Sequence, residues 1–280
     1  MELPSGSLRI LFGYERWSVH KLSLLVGCLL FAGVVASADD WNKNFKVGGN
    51  PELRVNARDG SVELSSWDQK EIEVRVETTG WRIAPDQVRI MDRQNDNRVE
   101  IELVVPSHNW GFHFGNRSLR MYVKVPRESH LDISTGDGSI HGSDLRGDLR
   151  FHTGDGGIDL DKLDGRLNAD TGDGHVRIAG RFDALEVRTG DGSIRAAVEP
   201  GSKPKIGWSF HTGDGSVELR LPEDLSANLD ARTGDGGIDV DFPITISGSI
   251  RRDEMRGKLN GGGPPLEIRT GDGHIRLSRY

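Results

Sequence analysis

Thiol chemistry is the first thing this chain lacks. Its 280 residues hold one cysteine, Cys28, inside an N-terminal apolar run. With one cysteine no internal disulfide forms, so folding energy has to come from ordinary burial. A basic surplus is lacking too: 36 Lys and Arg stand against 43 Asp and Glu, a net charge of −7. That balance carries no electrostatic footprint for nucleic acid. Aromatic residues make up only 6% of the chain. Runs of good helix formers are nearly absent while Gly, Val, Ile and Thr abound, which points to an all-β chain.

The one long apolar run is LSLLVGCLLFAGVV. It follows the basic residues Arg16 and Lys21 and ends at Ala36-Ser37-Ala38, just before Asp39-Asp40. This is the pattern of a secretory signal peptide over residues 1–38. The run is short for a membrane span and sharply ended by acids, so no span is expected after cleavage. An uncleaved anchor is the competing reading. Leu25-Val26-Gly27-Cys28 also has the form of a lipoprotein box, although an apolar rather than a polar stretch follows it. Cleavage would remove Cys28 together with Arg9, Arg16, Lys21, Glu2 and Glu15, taking the net charge from −7 to −8. The expected location is the periplasm or the cell surface.

The remaining chain is organised by one phrase. TGDG begins at Thr135, Thr153, Thr171, Thr189, Thr212, Thr233 and Thr270. Apolar residues stand four before the Thr (Leu131, Leu149, Leu167, Leu185, Trp208, Leu229, Leu266). They recur two before it (Ile133, Phe151, Ala169, Val187, Phe210, Ala231, Ile268) and five after it (Ile140, Ile158, Val176, Ile194, Val217, Ile238, Ile275). The column seven after the Thr is weaker but mostly apolar. Polar residues fill the places between, the period-two alternation of strands with one buried face. Buried offsets are even before the motif and odd after it. A straight strand cannot change parity, so the chain bends inside Gly-Asp-Gly. The sequence reading assigns the glycines to positive φ and the Asp to an Asx turn.

The first four motifs lie 18 residues apart, and later gaps are 23, 21 and 37. A period near 20 predicts a parallel β-solenoid whose coils bury their faces against one another. Asp59–Leu64, with Leu53 and Val55 upstream, reads as a degenerate first coil. The 37-residue gap is expected to hold a divergent coil near Ile244–Ile250 and a loop at Gly261–Pro265. Residues 66–130 leave the columns and predict ordinary strands at Glu71–Glu77, Gln87–Ile90, Val99–Val105 and Ser118–Val125, forming a cap or insertion. The organisation is therefore a signal peptide (1–38), an N-terminal β region (39–130) and the TGDG-repeat solenoid (131–280). The strand Ile275–Ser278 is expected to leave an uncovered edge open to self-association.

Phe45-Lys46-Val47, Pro51-Glu52-Leu53, Val125-Pro126, the repeated TGDG corners and GGPPLEIRTGDGHIRL together resemble the bacterial putative-adhesin family. The likeness spans roughly residues 45–280. It implies a β-strand-repeat protein of unassigned function, and it brings no active-site residues with it.

Three chemical readings compete for the repeat. Asp137, Asp155, Asp173, Asp191, Asp214, Asp235 and Asp272 form one column, either structural corners or calcium ligands. The calcium β-roll needs GGxGxD in nine-residue units, and here one Asp occurs per 18 residues. Catalysis needs one non-repeated constellation, which seven copies of a turn do not supply. His152, His175, His211 and His274 occupy outward positions without zinc-ligand spacing. Charges six after the Thr alternate in sign enough to pair across strands. Trp110, Phe112 and Phe114 alternate in the densest aromatic cluster, either a lid over the stack or a partner anchor. The reading is a non-enzymatic envelope scaffold, with a protein or glycan partner and no cofactor. Its alternatives are a calcium-dependent or glycan-binding module and a carbohydrate-active β-helix enzyme.

Overall fold

The computed structural model describes residues 38–105, 117–246 and 251–280. The expected signal segment through residue 37, and Trp110, Phe112 and Phe114, lie outside the described residues. What is described is all-β, without a helix.

The N-terminal strands are β1 (Ala38–Lys46), β2 (Glu52–Ala57), β3 (Ser61–Trp67), β4 (Glu71–Thr79), β5 (Arg89–Asn95), β6 (Arg98–Val104) and β7 (Ser118–Pro126). The TGDG region opens with β8 (Glu128–Thr135), β9 (Ile140–Ser143), β10 (Arg146–Thr153), β11 (Ile158–Thr171), β12 (Val176–Thr189) and β13 (Ile194–Val198). It continues with β14 (Trp208–Thr212), β15 (Val217–Leu221), β16 (Ala227–Thr233), β17 (Ile238–Val240), β18 (Ile244–Ile246), β19 (Glu254–Leu259), β20 (Pro265–Thr270) and β21 (Ile275–Arg279).

Every TGDG motif joins two ladders. The strands running into the motifs pair in parallel, Leu131 beside Leu149, Leu167, Leu185 and Trp208 in turn. The strands leaving them pair likewise, Ile140 beside Ile158, Val176, Ile194 and Val217. The columns read from the sequence are therefore registered neighbours. β2 and β3 join the same ladders, Leu53 beside Leu131 and Val62 beside Ile140, as the degenerate first repeat requires. That pairing crosses the boundary expected at residue 130. The apolar columns bury almost completely, with Ile133, Ile158, Val187 and Phe210 at 0% exposure. Each fully buried aliphatic side chain contributes about 1.5–3 kcal/mol, so the repeated columns carry the stability that no disulfide supplies.

Chain order and spatial order differ at both ends. β20 lies between β14 and β16, and β21 between β15 and β17, so the segment latest in sequence fills a place before its predecessor. At the other end β2 lies between β6 and β8, and β3 between β7 and β9. Antiparallel strands then finish the ladders: β5 on β6, β4 and β1 beyond β7, and β19 and β18 beyond β16.

Three expectations are corrected here. The strand expected at Gln87–Ile90 begins at Arg89 and runs to Asn95, turning into β6 at Asp96, whose φ is 49°. Of the divergent coil expected near Ile244–Ile250, residues 247–250 lie outside the described residues; the described part, β18, forms with β19 an antiparallel pair laid on β16 instead of a parallel coil. The edge expected to be open at Ile275–Ser278 is paired with β15 throughout and with β17 at Ile275, Arg276 and Leu277.

Candidate functional site

The corner is built around its threonine. Among the described residues, seven of the nine buried polar side chains are the motif threonines. A buried hydroxyl needs partners, and each one donates to the carbonyl of the second motif glycine in the neighbouring repeat. Thr153 Oγ1 reaches Gly138 O at 2.8 Å and Thr171 Oγ1 reaches Gly156 O at 2.8 Å. Thr189, Thr212, Thr270 and Thr233 do the same at 2.7 Å, to Gly174, Gly192, Gly215 and Gly273. Thr135 closes the series on Gly60 O at 2.9 Å. Five of these hydroxyls, those of Thr153, Thr171, Thr189, Thr212 and Thr270, also accept from the second glycine of their own motif, as in Gly174 N–H to Thr171 Oγ1 at 3.3 Å. The first glycines bond one another directly, Gly172 N–H to Gly154 O at 2.7 Å.

The reason for glycine differs from the expected one. No motif glycine has positive φ. Their backbones instead lie against the next repeat: a Cβ on Gly156 would overlap the carbonyl of Gly138, and one on Gly174 that of Gly156. Left-handed backbone lies outside the motifs, at Asp144 and Gly147 after the first motif and at Lys162 and Gly165 after the second.

The motif aspartates point outward. Asp137, Asp155, Asp173, Asp191, Asp214, Asp235 and Asp272 are all exposed. Parallel strands set neighbours in this column about 4.8 Å apart, and Asp59 of the first repeat extends it. Among the described residues no group of three or more His, Cys, Asp or Glu side chains is placed to hold a metal ion.

Sequence reasoning took the histidines one at a time, and the structure gathers several. His175 Nε2 lies 3.3 Å from Asp159 Oδ2 and His141 Nδ1 3.7 Å from the same oxygen, while Arg177 Nη1 is 3.2 Å from Asp159 Oδ1. The arrangement recurs at Asp239, with His274 Nε2 at 2.9 Å and Arg276 Nη2 at 3.8 Å. The hydrogen bond from His274 holds the Asp239 carboxyl below the usual carboxylate range. Its contribution is thus present above that range and is lost as pH falls through the lowered value. Each His lies over a glycine, Gly157 or Gly237, that leaves room for the ring. The signal was legible: GGID at Gly156–Asp159 and Gly236–Asp239 faces GHVR at Gly174–Arg177 and GHIR at Gly273–Arg276. With Arg177 or Arg276 beside the carboxylate, these clusters are charge-neutralising contacts between repeats. His152 likewise meets Asp170 at 2.9 Å.

The outer faces carry shallow grooves. One lies over Ala179 and Ala197 between Asp159, Arg177, Arg195 and Arg220. Another passes Ala184, Ile206 and Gly207. Both mix charges of either sign.

No protein-family model matches the sequence, and no curated protein matches it. Solved structures do. A putative cell adhesion protein from Clostridium sporogenes aligns at 13% identity over 87% of this chain and 100% of its own, with a TM-score of 0.42. A putative adhesin from Bacteroides fragilis aligns at 11% identity over 86% and 97%, TM-score 0.39. A putative lipid binding protein from Parabacteroides distasonis aligns at 11% identity over 86% and 98%, TM-score 0.43. The chain resembles solved proteins named as putative adhesins, the likeness its TGDG repeats and flanking motifs pointed to.

Proposed function

We propose that the chain is an exported, non-enzymatic β-solenoid that serves as a structural or adhesin-like scaffold of the cell envelope. One observation carries the reading. The repeated polar groups of the corner, Thr hydroxyl and glycine amide and carbonyl, are bonded from repeat to repeat. They hold the stack together and are not left free for chemistry. On this reading the two parallel ladders are the faces of one wound coil, and the outward columns are the surface it presents. The N-terminal apolar run with its Ala-Ser-Ala end supplies the export signal.

Expression of the full chain in a bacterial host, followed by fractionation and surface labelling, tests the location. Recovery in the envelope fraction, shortened by the leader, is expected; a full-length product in the cytosol overturns it. The exposed Asp column keeps a calcium-dependent module as the second reading. Calcium or chelator should move the melting temperature little, whereas occupancy at a hundredfold excess over the dissociation constant would add about 2.7 kcal/mol. A large calcium-dependent rise would replace the structural role of the corners.

A further inference from the structure

The segment 265–279 is a guest between repeats that precede it in sequence. We infer that the slot it fills accepts the same segment from a second copy of this chain, giving a dimer in which each copy lends the other its residues 265–280. The inference rests on the observed strand order and not on the envelope role.

The slot is specific for such a segment. It takes hydrogen bonds on both edges, from β14 and β16 to β20 and from β15 and β17 to β21. Leu266, Ile268, Ile275 and Leu277 enter it and are buried to 1% exposure or less. Thr270 donates to Gly215 O, and Gly273 O accepts from Thr233, both at 2.7 Å. The walls also carry like charges. Glu218 and Asp239 both register with Arg276, so the guest sets a cation between two carboxylates. Without it, β17 stacked directly on β15 would bring those two carboxylates together, which is unfavourable. The occupant must therefore be an extended apolar–polar strand pair with a TGDG corner and a cation six residues after its Thr. Residues 265–280 of another copy meet each requirement.

The hinge decides which copy fills the slot. The contacts inside it are identical in both arrangements, so only the connection from β19 distinguishes them. In the single chain that connection reverses through Asn260, Gly261 and Gly262, with φ of 47°, 87° and 92°. Asn260 fixes the reversal by donating from Nδ2 to Glu223 O at 2.7 Å and Leu225 O at 3.0 Å. Side chains that resist left-handed backbone straighten the hinge and send the guest outward.

The test uses full chains on a Cys28→Ser background. Ser209 and Glu267 are registered partners on the outward side of β14 and β20. Ser209→Cys and Glu267→Cys in one chain should close an internal disulfide, which checks the strand order itself. Two single-cysteine chains, one with each change, are then unfolded together at high concentration, refolded and oxidised. A heterodimer linked through 209 and 267 is expected. Its share should rise at least about tenfold with Gly261→Val and Gly262→Val, since each valine opposes the left-handed turn. A 209–267 heterodimer no more abundant than collisional 209–209 homodimer overturns the proposal. So do valine variants that refold as monomers with no gain in linkage. If the valine chains do not refold, the unmodified hinge decides alone.

Discussion

At the scale of the residue, the threonine hydroxyl and the neighbouring carbonyl are the unit of stability. Thr171→Val keeps size and burial but leaves Gly156 O and Gly174 N–H short of a partner, at a cost of about 1–3 kcal/mol. Thr171→Ser keeps the hydroxyl and should lose clearly less; equal melting of the two variants would show the hydrogen bonds to be idle. The glycine needs a different probe. Sequence parity located the bend correctly, because alternation is a property of side chains and is written in the letters. It misjudged why glycine is there, because close approach of two backbones leaves no trace in one repeat read alone. The two explanations separate at Gly156. Asn tolerates positive φ better than Ala, so a φ requirement would make Gly156→Asn the milder change. Overlap with Gly138 instead predicts that Asn and Ala each destabilise, by about 1–3 kcal/mol. Denaturant midpoints of the two variants give the answer.

At the scale of the element, pairing was legible and order was not. Register follows from the buried columns, and Leu131 to Leu149 to Leu167 could be aligned by eye. Seven near-identical corners fit one another in any sequence, however, so the columns are silent about who neighbours whom. The discriminating information sits in the exposed charges. Chain order would set Glu218 beside Asp239; the observed order sets Arg276 between them. Arg276→Glu would align three carboxylates in succession. Its melting temperature should fall at low salt and recover toward that of the parent near 1 M salt, where the Debye length is about 3 Å. A salt-independent loss would mean that packing rather than charge orders the last repeats. The antiparallel β18–β19 pair was missed for a related reason. Its short apolar runs look like another repeat until their partners are known.

At the scale of the whole molecule, the question is what stops the ladders from growing. Among the described residues the outermost strands are β5 and β18 on one ladder and β1 and β17 on the other. The apolar edges are short, three residues each in β17 and β18. The long edges are charged: β1 exposes Asp40, Lys43 and Lys46, and β5 carries Arg89, Asp92 and Arg93. Charged or very short edges are how sheets avoid adding a further chain. Exchange of residues 265–280 would be self-limiting, because two slots and two guests close on each other, whereas edge-to-edge stacking is open-ended. Asp40→Thr, Lys43→Thr and Lys46→Thr together keep strand propensity on β1 while removing its charges. The triple variant should show scattering that grows with concentration and time well beyond a dimer, while the parent holds a constant mass. If the variant's mass matches the parent's over the same range, the charges on β1 do not guard the edge, and the limit on growth lies in the cap strands themselves.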